Sequence, residues 1–156
     1  MDNDVAKVID HTDLIENIID QIIVKYVSPR NEIYTFFRNV ILNNSIISLG
    51  AKVKLVSLIA KDIEFNLDKH PIHVILKYRN AFAHHGLQSH PTLIVGKTPE
   101  EDKSEYQLVV ISSSKVDRES RESALKNFNQ NYILAKSTLV DLRNKLVTQL
   151  NSEKKT

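Results

Sequence analysis

The chain has 156 residues, 42% hydrophobic and 26% charged, which fits a single soluble globular domain with a sizeable core and excludes a disordered polymer. Its 21 Lys and Arg stand against 19 Asp and Glu, so the net charge of +2 gives no global field for nucleic acid, and any such binding must come from a local cluster. The lack of cysteine excludes disulfides and thiolate metal sites, and only three glycines and four prolines interrupt the chain, which favours long helices. The first residues, Met1-Asp2-Asn3-Asp4-Val5, lack the basic and apolar regions of a secretory signal. No apolar run approaches the about 18 residues of a membrane span, so a cytoplasmic protein without membrane contact is expected.

The elements read in chain order as follows. Leu14, Ile15, Ile18, Ile19, Ile22, Ile23 and Tyr26 recur at three- and four-residue steps, the mark of an apolar helix face, with Asp13 and Glu16 as its expected cap. Ser28-Pro29 breaks the chain. Ile33, Phe36, Phe37, Val40 and Ile41 then form a short aromatic helix ending at Asn43-Asn44. A third helix opens near Gly50 and carries Val53, Val56, Ala60 and Ile63 on one side, with Leu55, Leu58 and Ile59 widening the stripe. A fourth starts near Asp68, with Pro71 in its first turn, where a missing N–H costs nothing, and Gly86 as its C-terminal cap.

Residues 92–96 and 106–112 are β-branched runs separated by a polar stretch, which predicts a two-stranded hairpin. From about Asp117, Leu125, Phe128, Tyr132, Ala135, Leu139, Leu142, Leu146 and Leu150 alternate three- and four-residue steps along the longest helix, expected to pack on the first. Tyr132, Ile133 and Leu134 are consecutive and cannot all face one core, which leaves a dimer contact there open. The expected fold is mainly α: a bundle of four to five helices with one β-hairpin inserted before the long C-terminal helix. It forms one domain over residues 1–156, with a frayed tail from about 151.

Chemistry concentrates on the fourth helix. His73, Lys77, Asn80 and His84 line up on one polar stripe, whereas Arg79 falls on the otherwise apolar side and must reach over its neighbours to join them. Arg79 offers planar, permanently charged donors for a phosphate, and an imidazole such as His84 moves a proton near neutral pH. RNA supplies its own nucleophile in the 2′-OH, so this pair suits phosphodiester cleavage without a metal. Spacing alone leaves open a structural reading, in which Arg79 pairs with Glu64 or Asp62 and His84 and His85 merely end a helix.

The segment Tyr78-Arg79-Asn80-Ala81-Phe82-Ala83-His84-His85-Gly86 resembles the Arg-Asn-x-x-x-His signature of the HEPN superfamily. Over roughly residues 33–150, with Leu49-Gly50-Ala51-Lys52 opening the third helix, the chain also resembles bacterial HEPN-like proteins such as the mannitol operon repressor family. The resemblance implies a helical bundle that dimerises, bringing two motif copies into a shared cleft, and a metal-independent endoribonuclease of the toxin–antitoxin or abortive-infection kind. By it, Arg79 and His84 match the catalytic pair and Asn80 the polar residue after the arginine, with His85, Lys77 and His73 as possible accessories. A homodimer, an RNA substrate and a cognate protein partner are the partners it suggests. The alternative it allows is a non-catalytic regulatory or interaction module.

No cofactor or metal is expected: His70 with His73, or His84 with His90, lacks a third ligand at helical spacing. Lys52, Lys54, Lys61, Lys69 and Lys77 could gather with Arg79 into a phosphate-attracting patch, or simply form the solvated side of two helices.

Overall fold

The computed structural model describes residues 3–28, 30–85, 92–94, 103–105, 107–112 and 115–153. Helix α1 (Asn3–Val27) is followed by α2 (Asn31–Phe36), which passes directly into a π-helical turn at Phe37–Ile41. Then come α3 (Leu49–Asp62), α4 (His70–His85), strands β1 (Thr92–Ile94), β2 (Lys103–Glu105), β3 (Gln107–Ser112) and β4 (Lys115–Ser120), and α5 (Arg121–Glu153). The fold is therefore mainly helical, with antiparallel β structure placed before the long C-terminal helix.

Three expectations change in detail. Helix α1 begins ten residues before Asp13, so Asp13 and Glu16 are interior positions and cap nothing. The added turns bury Val8 and Thr12, the latter because its hydroxyl donates to the Val8 carbonyl at 2.8 Å. The strand at 107–112 does not pair with 92–94. Instead β1 pairs with β2, and β3 pairs with β4 from Gln107–Ser120 to Ser112–Lys115, in two separate antiparallel ladders. Residues 117–120 thus belong to β4, and α5 starts at Arg121. The expected Gly86 cap lies outside the described residues.

Buried side chains from α1, α3, α4, β3 and α5 form one apolar cluster. Its spine is the packing of α1 on α5, where Ile15, Ile19 and Ile22 meet the Leu139, Leu142 and Leu146 seam predicted from the sequence. Helix α4 lies against α1, α5 and β3, and Leu108 and Val110 of β3 turn inward by strand alternation. Helix α2 and the π turn bury no side chain fully, and Ile33, Tyr34, Phe36 and Val40 are exposed.

Helix ends explain several connections. Ser48 Oγ accepts from Ala51 N at 3.4 Å at the start of α3. Its C-terminus closes as a Schellman motif: Phe65 N donates to Ala60 O at 2.7 Å and Glu64 N to Lys61 O at 3.1 Å, with Glu64 at φ 53°. Asp68 Oδ1 accepts from His70 N at 2.9 Å, which starts α4 just before Pro71.

Candidate functional site

The face of α4 that supports the site is set by its apolar residues. Ile72, Ile75, Ala81 and Phe82 are buried, and so is Tyr78, whose hydroxyl donates to Glu119 Oε2 at 2.7 Å. Asn127 Nδ2 bridges the same pair, donating to Glu119 Oε1 at 2.6 Å and to the Tyr78 oxygen at 3.2 Å. Burial first, and then the hydrogen bond to Glu119, push the Tyr78 phenol up to about 12. This network pins α4 to β4 and α5 beneath the motif, and it holds the helix at fixed rotation.

On the opposite side His73, Asn80 and His84 are exposed, with Lys77 half-buried beside the Tyr78 ring at 5.5 Å, and Arg79 is exposed at the edge of the apolar side. Arg79 departs from the polar stripe as the periodicity requires, and its Nη1 reaches over to donate to Asn80 Oδ1 at 3.3 Å. It pairs with neither Glu64, which caps α3, nor Asp62, whose Oδ2 accepts from the Tyr26 hydroxyl at 2.7 Å. The side chain of His85 lies outside the described residues, as does His90.

Arg79 and His84 open onto different depressions. Arg79 and Asn80 line one of about 380 Å³ with Asp13 and Glu16 of α1 and Ser48 and Gly50 at the start of α3. His84 lines a smaller one of about 250 Å³ with Lys77, Ala81, Val109 and Ile111. Asn80 borders both and is the hinge between them.

The acidic wall of α1 is the feature that sequence reasoning did not place. Burial first, and then Glu16, raise the Asp13 carboxyl, while Arg79 pulls it the other way. Glu16 is itself engaged by Asn44 Nδ2 at 2.9 Å and by Lys52 Nζ at 2.5 Å. The signal that could have flagged this was Lys52, a charge on the Val53–Val56–Ala60 side of α3. It is 1% exposed and also stands 2.9 Å from Asp20 Oδ1. Lys52 therefore leaves the cationic patch anticipated with Lys54, Lys61 and Lys69, which are exposed.

Chemically the motif helix offers a guanidinium held by an amide, and an imidazole one turn further on. Among the described residues, no three His, Asp or Glu gather closely enough to hold a metal ion, and no helix is long and apolar enough to cross a membrane. No family model matches the chain, and neither curated proteins nor solved structures give a match.

Proposed function

We propose that the chain is a cytoplasmic, metal-independent endoribonuclease of the HEPN type, active as a homodimer, as in toxin or phage-defence systems. The observation that carries this reading is that Asn80 and His84 are exposed opposite the packed face of α4, while Arg79, at the edge of that face, is exposed too and reaches over to Asn80. Exposed side chains that offer a cation and an imidazole from one helix suit phosphodiester chemistry.

Within one chain the two groups open onto separate depressions, so the reading places the complete site between two copies, with Arg79 of one beside His84 of the other. In that site His84 removes the proton from the ribose 2′-OH as its oxygen attacks the adjacent phosphorus. The bond to the 5′-oxygen breaks, and the leaving oxygen takes up a proton. Arg79 balances the charge that builds on the phosphoryl oxygens, and Asn80 holds the guanidinium in place. The products are a 2′,3′-cyclic phosphate and a 5′-OH end.

The test is incubation of purified protein with single-stranded RNA in EDTA. Cleavage that falls by at least about a hundredfold in both Arg79→Ala and His84→Ala is expected. Intact RNA at high enzyme concentration, or cleavage unchanged in both variants, would overturn the reading.

The second reading, a non-catalytic regulatory or interaction module that serves a cognate protein partner, is favoured by the carboxylates of Asp13 and Glu16 beside Arg79. They repel a phosphate backbone. In that case Arg79→Ala changes the size of the assembly seen in gel filtration and there is no turnover to lose.

A further inference from the structure

A second depression, far from the motif, has the electrostatic character that the motif lacks. It occupies about 440 Å³ between the C-terminal part of α1, the outer face of α2 with its π turn, and the later turns of α5. Three cations line it: Lys25, Arg38 and Arg143, accompanied by Gln21, Asn31 and Tyr34. Among the described residues, none that line it is acidic.

The placement follows from helical spacing. Gln21, Lys25 and Ser28 step by four and three along α1, and Asn31, Tyr34 and Arg38 step by three and four along α2 into the π turn. Arg143 is half-buried, and its Nη1 donates to Gln21 Oε1 at 2.7 Å, which fixes the guanidinium while leaving most of its donors unused by that bond. Among the described residues none of the three cations lies within salt-bridge distance of a carboxylate.

Three like charges with no ion-pair partner repel one another, Arg38 alone being offset at longer range by Asp20, and a bound anion relieves that repulsion. Elsewhere on the chain Lys115 and Arg121 each pair with one acid, and the buried Lys52 pairs with two. The volume falls in the range of small-molecule sites, about 300–1,000 Å³, and exceeds what a bare phosphate needs. Tyr34 adds an aromatic face on which a base can stack, and Asn31 and Ser28 supply hydrogen-bonding groups at the rim.

We infer that this depression binds a mononucleotide, with its phosphate between Lys25, Arg38 and Arg143 and its base against Tyr34. The site does not rest on the ribonuclease reading: Gln21, its lining residue nearest Asp13 on α1, lies about 12 Å along the helix from it, at 1.5 Å per residue.

Calorimetric titration of the full chain with AMP, adenosine and inorganic phosphate tests it. AMP is expected to bind, with adenosine and phosphate each at least about tenfold weaker. Lys25→Ala and Arg38→Ala, both at exposed positions, should each weaken AMP about tenfold or more, with melting curves close to wild type. Tyr34→Leu should weaken AMP while leaving phosphate unchanged. No heat with AMP at millimolar concentration, phosphate binding as tightly as AMP, or AMP binding unchanged in Arg38→Ala would each overturn the proposal. AMP binding lost in Arg79→Ala and kept in Arg38→Ala would overturn it too, by placing the ligand on α4.

Discussion

Lys52 shows how one residue can carry opposite meanings in sequence and in structure. On paper it belongs with the lysines of a solvated or phosphate-attracting face. In the fold it ties α3 to α1 through Glu16 and Asp20, whose side chains are 12% and 20% exposed. Lys52→Met leaves two carboxylates poorly compensated, and should cost about 3–5 kcal/mol in urea unfolding at neutral pH. A loss below about 1 kcal/mol would show that the ion cluster adds nothing. Asp20 is raised mainly by burial, against the pull of its Lys52 hydrogen bond. A carboxyl whose folded pKa is raised binds its proton more tightly folded than unfolded, so the deficit of Lys52→Met should shrink as pH falls.

His11 is a second such residue. It looks isolated in the sequence, yet its ring stacks on Tyr132 with centroids 4.2 Å apart. Burial first, and then Lys7, lower its pKa below the ordinary 6.5. The unfolded chain therefore takes up this proton before the folded one. The stability linked to His11 is complete above pH 6.5 and declines as pH falls from there through the folded value. His11→Gln should make the loss of melting temperature between pH 7 and mildly acidic buffer shallower than in wild type. An identical slope would remove His11 as the cause. Neither residue's environment was legible in advance, because partners more than thirty positions away decide both.

At the scale of elements, legibility followed how local the signal was. The α1 face and the α5 seam are periodic within one helix, and Ile15 to Ile23 of the first and Phe128, Ala135, Leu139, Leu142 and Leu146 of the second are buried as predicted, whereas Leu14 and Tyr26 at the ends of the first are exposed and Leu125, Tyr132 and Leu150 are half-buried. The first turns of α1 were hidden because Thr12 interrupts the apolar series, and its bond to the Val8 carbonyl is what makes it buriable. The strands failed differently. β4, Lys-Val-Asp-Arg-Glu-Ser, has one apolar residue and no β-like pattern. It becomes a strand because β3 needs a neighbour and because Glu119 is held by Tyr78 and Asn127. The end of α3 gives the prediction at this scale. Glu64 holds the left-handed position of the Schellman motif, at φ 53°, where a Cβ is unfavourable by about 1–2 kcal/mol. Its carbonyl, accepting from Lys145 Nζ at 2.8 Å, belongs to the backbone and survives substitution. Glu64→Gly should therefore raise stability by about 0.5–1 kcal/mol after glycine's larger unfolded-state entropy is subtracted. A lower melting temperature for Glu64→Gly would show that the carboxylate has a stabilising role of its own.

For the whole molecule, the sequence made the motif visible but not its surroundings. Arg79 reaching across to Asn80 followed from helical geometry, while the acidic wall from α1 is a tertiary result that no local pattern encodes. The separation of Arg79 from His84 into two depressions makes the proposed reaction a property of the assembly, and complementation tests that. Homodimers of Arg79→Ala lack the guanidinium in both sites, and homodimers of His84→Ala lack the imidazole in both. In a mixed dimer, the arginine of the His84→Ala chain meets the histidine of the Arg79→Ala chain. One site is then intact and the other has lost both groups. If the two variants are unfolded together and refolded at equal concentration, random pairing makes half the dimers mixed, each with one of two sites restored, so RNA cleavage should return to about a quarter of the wild-type rate. Recovery near that level places the reaction between copies. If each variant alone is inactive and the mixture stays inactive although the chains have exchanged, Arg79 and His84 must act within one chain. The α4 helix would then have to move His84 toward the acidic depression before RNA could be cut.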